Sequence, residues 1–113
     1  MDEKNAKISV FDRGLLFSDS VYEVTAVING KLIDFKNHVI RLNRSLNELK
    51  INYNFKEQKL LKIHKNLIKK NFLQNKEGLI YIQVSRGTME RDFLISRKPL
   101  KINIFAFTQE KVL

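Results

Sequence analysis

The chain has no cysteine, so disulfide staples and thiolate metal sites are excluded. Its two histidines, His38 and His64, lie far apart with no ligand spacing, which argues against a histidine-built metal site. No apolar run approaches the roughly 20 residues that span a bilayer. The N-terminus, Met1-Asp2-Glu3-Lys4, is charged with no apolar segment behind it, unlike a signal peptide. A cytoplasmic location without a membrane partner is therefore the default expectation. Also missing are a Gly-rich phosphate loop, a recognisable frame of paired catalytic carboxylates and a nucleophile elbow. With one proline and four glycines in 113 residues, each that occurs is informative punctuation.

What is present describes one domain, residues 1–113, long enough for a single core and too short for two. Hydrophobic residues make up 43% and charged residues 29%, a globular balance that argues against disorder. The net charge of +9 raises the question of an anionic partner. The lysines are spread along the chain, however, and the densest basic stretch, Lys56 to Lys70, interleaves with leucine and isoleucine at helical spacing. That pattern reads as the solvated face of an amphipathic helix, and spread charge supports only weak, salt-sensitive binding to nucleic acid. Leu79 to Thr88 lacks the aromatic ladder of an RNA-binding strand. A nucleic-acid partner is not expected, and a small basic nucleic-acid- or anion-binding module stands as the alternative from another class.

Val21 to Ile28 (VYEVTAVI) is rich in β-branched residues and ends at Asn29-Gly30, a type I′ hairpin signal. Lys31 to Ile33 is the expected returning strand. Along the first strand Tyr22, Val24, Ala26 and Ile28 share one face, and Val21, Glu23, Thr25 and Val27 the other. Asp34 is the candidate N-cap of a helix running to about Lys50, with Val39, Leu42, Leu46 and Leu49 as its buried stripe and Arg41 off it. Asn52 to Asn54 breaks the pattern. A second helix is predicted from about Lys56 to Phe72, with Leu60, Ile63 and Leu67 inward, widened by Leu61, Ile68 and Phe72. Leu79 to Ser85 alternates as a strand, and Leu100 to Phe107 is the last, after an irregular segment ending at Pro99. The order predicts an α+β, two-layer domain: a largely antiparallel sheet covered by two helices.

Three segments together resemble class IV (fold-type IV) pyridoxal-phosphate aminotransferases of the D-amino-acid transaminase type. Asp12-Arg13-Gly14-Leu15-Leu16-Phe17-Ser18-Asp19-Ser20-Val21-Tyr22-Glu23-Val24 resembles the family's opening D-R-G-x-x-F-x-D-x-V-Y-E-V. His38-Val39-Ile40-Arg41-Leu42 is similar to its H-x-x-R-L helix motif, and Ile80 to Thr88 followed by Arg91 resembles its I-Y-x-Q-V-x-R-G-x-x-x-R strand and loop. The segments run in family order over nearly the whole chain. The resemblance implies the small N-terminal domain of that fold, with pyridoxal phosphate as cofactor and an amino acid and a 2-oxo acid as substrates. A homodimer is implied as well.

Carried over position by position, Arg41 matches the arginine that binds the cofactor phosphate, a task suited to a permanently charged, bidentate fork. Tyr22 and Arg91 match residues that line the substrate pocket and hold its carboxylate. Val24 and Ala26 share the Tyr22 face and would shape the pocket wall, whereas Glu23 points the other way and reads as structural. Two residues after Arg91, where many D-amino-acid transaminases carry a histidine, stands Phe93, and this keeps a branched-chain or (R)-amine transaminase relative open. In the family the Schiff-base lysine belongs to a C-terminal domain, so the resemblance places it beyond Leu113 and puts no catalytic residue in this chain. Lys98, Lys101 and Lys111 have polar or alternating surroundings, without the apolar setting that lowers an amine's pKa. The isolated chain is expected not to transaminate and to bind cofactor weakly at most.

Overall fold

The alternation from Val21 to Ile28 builds the strand on which the rest of the domain is organised. In a computed structural model describing residues 1–113, the elements are α1 (Arg13–Phe17), β1 (Ser20–Ile28), β2 (Lys31–Leu32), α2 (Phe35–Glu48), α3 (Glu57–Lys70), β3 (Glu77–Ser85) and β4 (Asn103–Glu110). The strands form one sheet in the order β2-β1-β3-β4, antiparallel at every pairing, with Ser20 opposite Ser85 and Ile28 opposite Glu77. The expected two-layer α+β architecture is thus the one observed.

At the hairpin, Asn29 and Gly30 have φ of 49° and 74°, the pair of left-handed residues that a type I′ turn requires. A Cβ on Gly30 would also meet the Gln74 carbonyl oxygen at 2.6 Å. The returning strand is shorter than expected, Lys31–Leu32, with the Ile33 N–H donating to the Ala26 carbonyl at 3.0 Å. Before Ala26, the outer edge of β1 has no strand beside it.

Both long helices cover one face. Val21 and Val27 of β1 and Ile80, Ile82 and Val84 of β3 are buried against Phe35, Val39, Leu42 and Leu46 of α2 and Leu60 and Ile68 of α3. Each such side chain contributes roughly 1.5–3 kcal/mol by leaving water.

Several boundaries differ from the sequence reading. On α2 the buried stripe starts at Phe35, and Leu49, beyond the helix end, is exposed. On α3, Ile63 and Phe72 are exposed and His64, 1% exposed, takes the inward place in the row Leu60, His64, Ile68. An imidazole can sit there because its Nδ1–H donates to the Leu60 carbonyl at 2.9 Å and its ring meets Phe35 edge-on at 4.9 Å. Asp34 does not cap α2: it adopts the left-handed conformation, and its carboxylate accepts from the Asn37 amide at 2.7 Å instead of from a backbone N–H. The last strand begins at Asn103, not Leu100, and the short α1 was not anticipated.

Candidate functional site

Burial alternates along β1 as foreseen: Val21, Glu23, Thr25 and Val27 lie under the helices, and Tyr22, Val24, Ala26 and Ile28 look out from the open face. A carboxylate on the buried side must find partners. Glu23 Oε2 accepts from Arg41 Nε at 2.7 Å, and Oε1 accepts from Arg41 Nη2 at 2.9 Å, with His38 Nδ1 at 2.7 Å from the same oxygen. His38 and Arg41 stand three apart on α2, so one helix face delivers both to the acid. Burial pushes the Glu23 carboxyl up, but the hydrogen bonds and charges of Arg41 and His38 outweigh it and hold the pKa below its usual value. The hydrogen bond and charge of Glu23 raise Arg41 in turn, with smaller pulls from Tyr22 and Asp34.

Arg41 therefore has two nitrogens committed to Glu23. Nη1 has no protein partner, and the side chain is 57% exposed. Through Glu23 it sits where β1 has no neighbouring strand. The paired role of Glu23 and His38 was missed in the sequence, although an acid on the apolar face of a strand and a cation pair at i, i+3 were the signal.

Tyr22, 60% exposed, stacks on Tyr81 of β3 at 5.4 Å between centroids, and Tyr81 stacks on Phe107 and Phe105 of β4 at 5.1 and 6.1 Å. No aromatic ladder runs along Leu79 to Thr88, but the sheet assembles one across three strands, with Val24 exposed and Ala26 partly buried on the same face. Tyr81 donates its hydroxyl to Gln83 Oε1 at 2.8 Å, and burial raises its pKa.

Arg91 lies apart from these groups and shares no hydrogen bond, ion pair or ring stacking with Tyr22 or Arg41. Its guanidinium carbon stands over the Phe17 ring at 5.4 Å and over the Phe93 ring at 5.0 Å. The loop that carries it is fastened to α1, since buried Arg13 donates to the Asp92 carbonyl at 2.8 Å and to Asp19 Oδ2 at 2.9 Å. Asp19 also accepts from Arg86 Nε at 2.6 Å, and Arg86 donates onward to the Leu49 and Lys50 carbonyls at the end of α2. Burial pushes Asp19 up, but Arg86 and Arg13 hold its carboxyl below the ordinary range. Buried Asp12 accepts from the Ser85 hydroxyl, the Asn103 amide and the Leu15 N–H, joining α1 to β3 and β4. Gly14 is required beside it, because a Cβ would come within 2.8 Å of Asp12 Oδ2. The D-R-G, Asp19 and R-G positions are thus one structural knot.

No group of three or more histidine, aspartate or glutamate side chains is placed to hold a metal ion. No helix is long and apolar enough to cross a membrane. Every lysine, Lys98, Lys101 and Lys111 included, is exposed.

A four-stranded antiparallel sheet with both long helices on one face is also the fold found in solved aminotransferases. The branched-chain amino acid aminotransferase of Escherichia coli superposes with a TM-score of 0.84 at 16% identity, over 98% of this chain and 37% of that one. The PLP-bound form of a hypothetical aminotransferase from Mycobacterium tuberculosis superposes with 0.80 at 14% identity, over 97% of this chain and 36% of that one. At these identities they show the fold alone, that of the fold-type IV aminotransferases. The profile of the amino-transferase class IV family matches residues 20–111, and the chain belongs to that family. It is 37% identical over 109 residues to the D-alanine aminotransferase of Staphylococcus epidermidis, which covers 96% of this chain and 38% of that protein. The chain thus spans well under half the length of the curated relative it matches.

Proposed function

We propose that these residues form the cofactor-phosphate and substrate-facing part of a D-amino-acid transaminase, an enzyme that moves an amino group between a D-amino acid and a 2-oxo acid. The observation that carries this reading is Arg41: a guanidinium locked on a buried carboxylate, with one nitrogen free and the side chain half exposed at an open strand edge. A preset, permanently charged fork suits a phosphate, so the residues present fit pyridoxal phosphate. That cofactor, when bound, supplies the electron sink for amino transfer. This chain's own residues bind and orient. Arg41 holds the phosphate, Glu23 and His38 fix Arg41, Tyr22 with Val24 and Ala26 forms a wall of the substrate pocket, and Arg91 meets the substrate carboxylate. The similarity to D-alanine aminotransferase supports this substrate class over the branched-chain reading and over a nucleic-acid module. With all lysines exposed, no amine here has the desolvated setting that imine chemistry favours, so the chain by itself does not transaminate. The working enzyme is a cytoplasmic homodimer in this reading.

The test is an NMR titration of the chain with pyridoxal phosphate and, separately, with pyridoxal. Phosphate-dependent movement of the Arg41 Nε–H and of the neighbouring Glu23 and His38 backbone N–H resonances is expected at millimolar ligand, and the movement of the backbone resonances is lost in Arg41→Gln. An equal response to pyridoxal overturns the phosphate role. Borohydride reduction and mass mapping test the second half: stoichiometric labelling of one lysine together with turnover of D-alanine overturns the claim of inactivity.

A further inference from the structure

Arg91 is held differently from the other buried or fastened arginines. Arg13 and Arg86 share Asp19, and Arg41 is bidentate on Glu23. Arg91 pairs with no carboxylate and donates no hydrogen bond within the chain. Two rings, Phe17 and Phe93, stand against its guanidinium, and they touch each other at 5.6 Å between centroids. Phe17 also lies under the Arg13 guanidinium at 4.6 Å, and Arg13 grips the Asp92 carbonyl between Arg91 and Phe93. The loop is thereby pinned on both sides of Asp92, and the aromatic pair has a fixed base.

A guanidinium that rests against rings and has no protein acceptor keeps an N–H edge free. That edge is what a planar carboxylate needs for two parallel hydrogen bonds. Beside it stands Phe93, 76% exposed, followed by exposed Leu94 and Ile95. No donor or cation among these three could receive a second carboxylate, and a ring offers a surface that gains from apolar contact. We propose that Phe93 is a positioning and specificity-determining residue: with Phe17 it clamps Arg91 by its faces and sets an aromatic wall beside the carboxylate-binding edge. The site accordingly takes monocarboxylates bearing a flat apolar group over small or dicarboxylic ones. This rests on the reading of Arg91 as the carboxylate residue.

The experiment has two arms, both on the 113-residue chain. In the first, the Arg91 side-chain protons are followed by NMR. Upfield ring-current shifts are expected in the native chain, reduced in Phe93→Leu to the part due to Phe17 and retained in Phe93→Tyr; shifts unchanged in Phe93→Leu overturn the clamp. In the second, the Arg91 Nε–H is titrated with phenylpyruvate, pyruvate and 2-oxoglutarate. Phenylpyruvate is expected to bind about fivefold or more tightly than either of the others, and Phe93→His is expected to remove that margin. Equal affinities overturn the specificity claim while leaving Arg91 as a carboxylate site. No response to any of the three acids overturns both that claim and the assignment of Arg91 on which it rests, even if the clamp stands.

Discussion

The two sides of β1 treat polar residues in opposite ways. On the helix-covered side Glu23 is enclosed, and its charge is matched by Arg41 and His38. Nearby, Asp19 is matched by Arg13 and Arg86, and Asp12 by the Ser85 hydroxyl, the Asn103 amide and the Leu15 N–H. On the open side Tyr22 stacks on Tyr81 but its hydroxyl bonds to nothing in the chain, and in the loop Arg91 meets only rings. An arginine facing a buried acid is mostly committed to architecture, whereas one held by aromatic faces keeps its donors for something else. Arg41 belongs partly to each kind, because its acid takes two nitrogens and leaves the third.

The comparison breaks first, and most visibly, at Glu23. Glu23→Gln strips the charge that His38 and Arg41 share and should cost about 1–3 kcal/mol in denaturant unfolding. Arg91→Gln, on the unpaired side, should stay within about 0.5 kcal/mol. Similar losses for the two would erase the distinction. The pH dependence sharpens it. The Glu23 carboxyl is lowered from 4.5 in the folded chain, so its contribution is present above that value and is lost as pH falls through the folded pKa. Glu23→Gln should remove that part of the acid sensitivity.

A smaller effect comes from His64. Burial lowers its pKa from 6.5, against a weaker upward pull from the Leu60 carbonyl. Below pH 6.5 the unfolded chain binds a proton there that the folded chain refuses, so stability should rise with pH from the folded pKa up to about 6.5 and then level off. His64→Leu should flatten that slope in a series of urea melts between pH 5 and 7; an unchanged slope would place the titration elsewhere.

The strand face, the hairpin and the two-layer architecture were legible because they rest on local rules. Alternation assigns β1 its faces, and Asn29-Gly30 leaves one turn type. The errors came where a particular hydrogen-bond or ring partner decides. Ile63 outranks His64 in hydrophobicity, yet the i+4 row from Leu60 to Ile68 passes through His64, and the Leu60 carbonyl with the Phe35 ring makes an imidazole acceptable there. Asp34 looks like a cap but spends its carboxylate on Asn37. The ladder Tyr22–Tyr81–Phe107 cannot be seen in any one segment, since its members are contributed by three strands in register. The candidate site residues were nameable from motif similarity. Their supports, Glu23 under Arg41 and Phe17 beside Arg91, became visible only when the chain was folded.

The smallest expected effect on folding is also the most telling about function. Tyr22 places its ring 5.4 Å from Tyr81, at 17° between planes. Removing the ring in Tyr22→Ala should cost about 0.5–1.5 kcal/mol for the lost stack. Tyr22→Phe keeps the stack and deletes only a hydroxyl with no acceptor or donor in the chain, so its stability should match the native protein within about 0.5 kcal/mol. A hydroxyl on the open face that folding does not use is available to a ligand. If the proposed function holds, Tyr22→Phe should weaken substrate or cofactor binding while leaving the melting curve in place. A drop in stability of more than about 1 kcal/mol in Tyr22→Phe would show that the phenol serves the fold, and the open face would then be less different from the covered one than the structure indicates.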